Sequence, residues 1–323
     1  MPELRRDPVT GMGVVVAPGR AHRPHSFPGT DTASCPFCPG NEHMTPPEVA
    51  RIGPGPVDGP GWQVRVFPNL YPVVVADGVG IAGDHEVIVL SPDHHRHVAA
   101  LDDVEVTAVF RALRERVRAH GAAGRAHVLP FMNQGQASGA SVEHPHAQLV
   151  SLDHVPPVPA ALMRRFATAG EDLLAAQLEI ARRDGLVVLD DPRVAVWCPP
   201  APTQAFEFVV AAPDVGSRID QADDEHLAAV AIGVRKGLAA LEHLLGEIST
   251  TTVVETAPVG ASVTVPDSFR WHVRVYPRLS VQGGFEFGSG YLSNALTAED
   301  AARALRYGVA ALAGEPATHP FAP

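Results

Sequence analysis

Between residues 133 and 148 the chain reads NQGQASGASVEHPHAQ, a glycine-bearing loop that runs into a histidine-bearing strand. Such loops bring backbone N–H groups close to phosphate oxygens, which makes Gly135 and Gly139 candidate substrate-binding positions. Side chains two apart on a strand point to one face, so His144, His146 and Gln148 are expected to line a single surface. An imidazole that is largely neutral near pH 7 is a nucleophile without a strong base beside it. A lone histidine pair is more often structural, but the loop, the alternation and the terminal glutamine together point to a functional site. A second cluster is Cys35-Pro36-Phe37-Cys38, a spacing that suits either a metal or a redox pair. Three cysteines, an odd number in a chain this long, make no disulfide framework, and the isolated Cys198 reads as a small buried hydrophobe.

The elements that must position these residues are legible in outline. Strand-like runs occupy 62–67, 86–90, 127–132 and 147–152, with a helix between the second and third. Asp102 and Glu105 have the spacing of a capping box, and Val106, Val109, Phe110, Leu113 and Val117 fall on one helical face. Another amphipathic stretch spans about 159–183, and the proline- and glycine-rich residues 24–60 read as an extended loop-rich arm.

The second half repeats the first. WQVRVFP (62–68) is matched by RVAVWCP (193–199), and EVIVLSPD (86–93) by EFVVAAPD (207–214). A helix over 224–245 and a strand over 251–255 follow, and WHVRVY (271–276) takes the place of HPHAQ, which sets Arg274 where the first half has His146. A last helix starts at Thr297 with Asp300 as capping partner. Two similar units of strands and helices imply an α+β fold of two half-sheets with helices over one face. The expected division is 1–165, carrying the histidine strand, and 166–323.

Composition limits the partners. A formal net charge of -11 with no basic run argues against nucleic acid, although small anionic ligands need only a few placed arginines. No stretch has the length and apolarity of a membrane helix, and a cytoplasmic protein is the expectation.

Several blocks resemble the galactose-1-phosphate uridylyltransferase family, within the histidine-triad superfamily. They are RAHRPH (20–25), CPFCPGNE (35–42) with Thr45-Pro-Pro-Glu48, VFPN (66–69), HEVIVLSPDH (85–94), NQG through HPHAQ (133–148), and WHVRVYPR with GGFEFGSG (271–290). The resemblance implies a duplicated histidine-triad-like fold of two antiparallel half-barrel sheets with helices packed against them. It implies that His146 attacks the α-phosphorus of a nucleoside-diphosphate sugar, giving a nucleotidyl-histidine and a sugar 1-phosphate, and that a second sugar 1-phosphate then takes the nucleotidyl group. Gln148 would hold a phosphoryl oxygen, assisted by Ser141 and Asn133. Arg20 and Arg23 would lie near the nucleotide phosphates and Asn69 near the base or ribose. Cys35, Cys38, His94 and His144 match the family's structural zinc site, while Glu42, His43 and Glu48 are not expected as ligands. The resemblance also implies a homodimer with sites completed across the subunit interface.

The departures fall mainly in the second half. One histidine of a second family metal site is Arg274 here and no glutamate follows the HPH motif, so that site is expected to be absent and His272 to be structural. An Arg-x-Pro-Phe-Glu stretch has become Thr203-Gln204-Ala205-Phe206-Glu207, and GGFEFGSG with Tyr291 and Asn294 is similar to what an ADP-glucose phosphorylase carries. UDP-hexose:hexose-1-phosphate uridylyl exchange is therefore the leading expectation. Adenylyl transfer from ADP-glucose to phosphate is the rival, followed by a non-catalytic zinc-stabilised nucleotide-binding module. Gln148, where histidine-triad hydrolases have a third histidine, argues against hydrolysis.

Overall fold

The computed structural model describes residues 1–23, 35–260 and 263–316. Pro24, His25 and residues 26–34 of the loop-rich arm lie outside the described residues. A small hairpin, β1 (Glu3–Arg6) with β2 (Gly13–Val16), precedes the main body. The first unit then contains β3 (Ala50–Ile52), β4 (Val64–Pro68), β5 (Gly83–Val89), α1 (Asp103–Ala122), β6 (His127–Gln134) and β7 (His146–Leu152). Asp102 and Glu105 close α1 with the anticipated capping box, each side chain accepting from the other's backbone N–H at 2.8 Å.

The amphipathic stretch 159–183 is two helices, α2 (Pro157–Ala169) and α3 (Leu173–Arg183). Gly170 ends α2 at φ +69°, and Asp172 starts α3 by accepting from the N–H groups of Leu174 and Ala175. The second unit supplies β8 (Val187–Asp191), β9 (Val194–Trp197), β10 (Phe208–Ala211), α4 (Asp224–Leu245), β11 (Thr250–Glu255) and β12 (His272–Pro277). A short exposed helix, α5 (Gly284–Ser289), and α6 (Ala298–Leu312), capped by Thr297 as expected, complete the described chain. No described helix is long and apolar enough to cross a membrane.

The two half-sheets join edge to edge through β6 and β11 into one antiparallel sheet of order β3-β4-β5-β7-β6-β11-β12-β10-β9-β8. Read outward from the join, each half runs through equivalent strands, so the duplication seen in the sequence is a pseudo-twofold of the sheet. Helix α1 packs on the first half-sheet and α4 on the second, and α4 also packs against both α1 and α6.

The strand correspondence is right, but its register needs correction, by one residue at β9 and β10 and by two at β12. On β5, Val87 and Val89 face Phe67 and Trp62, whereas Ile88 joins the helix-side core. On β10 the alternation is opposite to that implied by pairing 86 with 207. A Cβ placed on Gly237 of α4 would lie 2.6 Å from the Phe208 ring, and one on Gly233 would lie 2.8 Å from Val210. Phe208 and Val210 therefore face the helix, and Val209 is the equivalent of Val87. The equivalent cross-strand rows are Phe67–Val87–Gln148–Phe131 and Trp197–Val209–Arg274–Val253. His272, not Arg274, stands where the first half has His146, and Arg274 stands in the place of Gln148.

Candidate active site

Strand β7 leaves the loop 135–145 with His146 at its first position, which places the imidazole at the sheet face away from α1. His146 is 8% exposed, and its Nδ1 donates to the carbonyl of His144 at 2.9 Å. That bond fixes the tautomer and leaves the Nε2 lone pair as the free end of the ring. The Phe37 ring meets the imidazole edge to face, 5.3 Å between centroids. Burial pushes the His146 pKa below its ordinary value, the bond to the His144 carbonyl opposes that, and the nearby Arg23 charge lowers it further. The ring is thus held in its neutral, nucleophilic form.

His146 opens onto a cleft of about 290 Å³ lined also by Arg23, Asn69, Gly139, Ser141 and Gln148, with Phe37, Phe67, Val87 and Tyr71 supplying apolar walls. Six of the residues expected in the site meet there. Arg20 is placed beside it, donating through Nη1 to the Tyr71 carbonyl at 3.0 Å. Asn133 and Gly135 line instead a much smaller cavity that His146 also borders. Gly135 has φ +76°, and a Cβ there would meet Ser249 Oγ at 2.3 Å, so this glycine holds the loop against the start of β11.

One residue tied to the candidate site escaped the sequence reading. His85 on β5 accepts the Val73 N–H at Nδ1 (3.0 Å), so its proton lies on Nε2, which donates to Gln148 Oε1 at 3.0 Å. The 3.2 Å approach of Asn69 Nδ2 to the same nitrogen is then a donor–donor contact, not a bond. Asn69 is fixed by accepting the Tyr71 N–H through Oδ1. With its oxygen occupied, Gln148 has its amide N–H₂ left for a ligand. The available signal was Gln148 itself, a buried amide that must have a partner on the neighbouring strand, opposite Val87 and diagonal to His85.

Cys35, Cys38, His94 and His144 converge beside the segment that carries His146, all four buried and with ligand atoms within 4.8 Å of one another. Cys38 Sγ lies 3.2 Å from His94 Nδ1 and 3.5 Å from His144 Nδ1, and Cys35 Sγ lies 3.7 Å from His144 Nδ1. Tetrahedral zinc with ordinary bond lengths requires S···N edges of about 3.5 Å, so the donor set fits. Without a cation, burial pushes Cys38 up to about 12 and raises Cys35, while burial brings His144 down to about 4. A divalent cation reverses the penalty on the two thiolates and needs the histidines neutral, as they are. Glu42 accepts from Trp62 Nε1 and the Gly40 N–H, and Glu48 pairs with Arg65, so both carboxylates are engaged elsewhere.

In the second half the equivalent place is filled differently. His272 Nδ1 bonds the Arg270 carbonyl at 3.0 Å, matching the His146 arrangement. Arg274 pairs with the fully buried Glu207 at 2.9 Å, where the first half has Gln148 and His85. Glu207 also accepts from the N–H and hydroxyl of Thr203, so the altered 203–207 stretch is tied to this ion pair.

Residues 79–156 match the N-terminal domain family of galactose-1-phosphate uridyl transferase. The chain is 30% identical to an ADP-glucose phosphorylase of Arabidopsis thaliana over 94% of its own length and 92% of that protein's. It belongs to the galactose-1-phosphate uridylyltransferase family. A crystal structure of an Arabidopsis thaliana ADP-glucose phosphorylase with bound ADP-glucose superposes with a TM-score of 0.76, covering 95% of this chain and 98% of that one at 30% identity. A galactose-1-phosphate uridylyltransferase of Haemophilus influenzae is 25% identical over 94% of both chains. Relatives in this family are thus nucleotidyltransferases and phosphorylases of nucleotide sugars, and their similarity to this chain runs through both repeats.

Proposed function

We propose that this protein transfers a nucleotidyl group from a nucleoside-diphosphate hexose by double displacement through His146. The observation that carries the reading is the His146 ring, tied at Nδ1 to the His144 carbonyl and free at Nε2 beside the Gln148 amide. Nε2 forms a bond to the α-phosphorus as the bond to the sugar-phosphate oxygen breaks, and sugar 1-phosphate leaves with that electron pair. The imidazole gains positive charge, which the His144 carbonyl offsets. An acceptor oxygen then attacks the same phosphorus and the imidazole departs neutral. In this reading Gln148 and Ser141 hold phosphoryl oxygens, Arg23 and Arg20 face the nucleotide phosphates, and Asn69 contacts the ribose or base. Gly139 opens the loop to the phosphates, while Asn133 and Gly135 support His146 from behind.

For the base and acceptor, identity of 30% over nearly the full length to an ADP-glucose phosphorylase favours adenylyl transfer from ADP-glucose to inorganic phosphate. This reverses the order given by the sequence motifs alone. Uridylyl exchange between UDP-hexose and hexose 1-phosphate is the second reading, supported by the family match over 79–156. The four-ligand cluster holds structural zinc with no open position for chemistry, and anchors the strand that carries His146. A homodimer is supported by the exposed apolar arm around α5, where Val281 is 96% and Phe287 79% exposed.

Incubating the protein with ADP-glucose, UDP-glucose or UDP-galactose without acceptor and weighing it intact tests the reading. The expected result is a mass gain equal to AMP, lost in His146→Ala. A gain equal to UMP selects the second reading. No adduct with any donor, and no turnover with phosphate or sugar 1-phosphate, overturns both.

A further inference from the structure

Among the described residues, two buried polar atoms next to the four-ligand cluster have no hydrogen-bond partner: His94 Nε2 and Glu143 Oε2. They face each other at 3.9 Å. Buried polar atoms are almost always paired, so two orphans facing one another need a cause. His94 meets Cys38 through Nδ1, and a cation bound at that nitrogen obliges the neutral ring to carry its proton on Nε2. Glu143 Oε2, 3.9 Å from that nitrogen and without a partner among the described residues, is then placed to accept the proton by a small side-chain movement.

The other histidine of the cluster already has such a support, because His144 Nε2 lies 2.8 Å from the Ser91 carbonyl. Metal-bound histidines almost always donate their second nitrogen to a carboxylate or carbonyl, which fixes the ring and raises its basicity. We infer that Glu143 is the positioning residue for His94, a carboxylate that accepts the His94 Nε2–H and completes the outer shell of the metal site. The inference rests on reading the cluster as a zinc site.

Glu143 directly precedes His144, whose Nδ1 faces the cluster and whose carbonyl holds the nucleophile. One segment, Glu143-His144-Pro145-His146, therefore supplies an outer-shell acceptor, a ligand, and the group that sets the nucleophile's tautomer. The cost of Glu143 falls on the metal-free protein, in which its buried oxygen is unsatisfied. Its benefit appears only when the cation fixes the His94 proton.

That separation gives the test. Zinc affinity is measured by chelator competition for the full chain and for Glu143→Ala and Glu143→Gln, alongside thermal melting of each in metal-free form. The expected result is about a 10- to 100-fold loss of zinc affinity for Glu143→Ala. Glu143→Gln, whose amide oxygen still accepts the bond, should recover part of it. Metal-free melting should stay unchanged or rise in both variants. Equal zinc affinity in Glu143→Ala and the parent overturns the inference while leaving the zinc site standing. A loss of affinity matched by a loss of metal-free stability also overturns it, because a merely structural role would do the same. A parent chain that binds no zinc overturns both the inference and the site.

Discussion

His85 and Gln148 form the part of the candidate site least visible in the sequence. The HPHAQ block exposes His146 and Gln148 because strand alternation puts them on one face, but alternation says nothing about the neighbouring strand. Only the pairing of β5 with β7 brings His85 Nε2 to 3.0 Å from Gln148 Oε1. Burial holds His85 down to about 4, so its single proton stays on Nε2 throughout the neutral range and the Gln148 amide cannot flip without losing that bond. Replacing His85 with Phe removes the donor, frees the amide to rotate and keeps the site filled. Misplaced by about 1 Å, such a contact costs up to about 100-fold in rate. In single-turnover measurements His85→Phe is therefore expected to slow formation of the His146 adduct by about 10- to 100-fold, while loss of the acceptor for the Val73 N–H costs about 1–3 kcal/mol of stability. A rate equal to the parent's would remove His85 from the site.

At the level of elements, the helices were legible because their caps and 3.6-residue periodicity are local signals, as Asp102 and Thr297 show in their bonds. The duplication was legible too, but its register was not. Phe208, Val209, Val210 and Ala211 are all buried, so β10 has no polar alternation to mark which side faces the helix. The ladder pairings and the close approach of Gly233 and Gly237 on α4 decide it. The break between α2 and α3 was hidden for a different reason, since Gly170 sits inside a stretch whose periodicity runs on past it. The loop before β7 allows a direct comparison of two glycines. Gly135 and Gly139 both have positive φ, but a Cβ on Gly135 collides with Ser249 Oγ at 2.3 Å whereas one on Gly139 meets nothing within 4 Å. Gly139→Ala is expected to cost about 1 kcal/mol, the backbone strain alone, and Gly135→Ala about 3 kcal/mol, at the top of the range for such a position. Denaturant midpoints of the two variants measure the difference; equal losses would mean that the contact with Ser249 carries no weight.

Across the whole molecule, the two repeats share a scaffold and differ in what fills it. The first keeps His146, Gln148 and His85 hydrogen-bonded beside an open cleft that Arg23 also lines, and the second sets the Arg274–Glu207 ion pair in the place of Gln148 and His85. What remains common to both halves is a set of histidines buried in their neutral form. His85, His127 and His272 are each brought by burial from 6.5 to about 4. Among the described residues neither ring nitrogen of His127 has a hydrogen-bond partner, so no such bond compensates its charging. Between these two values the unfolded chain binds the proton and the folded chain does not. Stability is therefore full above about pH 6.5, declines as pH falls, and has lost this contribution by about pH 4. Each group contributes on the order of 3 kcal/mol over that window, and the three together reach the size of a typical folding free energy of about 5–15 kcal/mol. The protein is expected to unfold cooperatively on acidification between these limits, reported by the buried Trp197 and Trp271. His127→Leu keeps the volume and removes one of the groups that must charge. It should shift the acid midpoint downward and leave the unfolding free energy at pH 7.5, measured with denaturant, within about 1 kcal/mol of the parent's. An unchanged acid midpoint would show that His127 finds its proton partner in the folded state, contrary to its surroundings here.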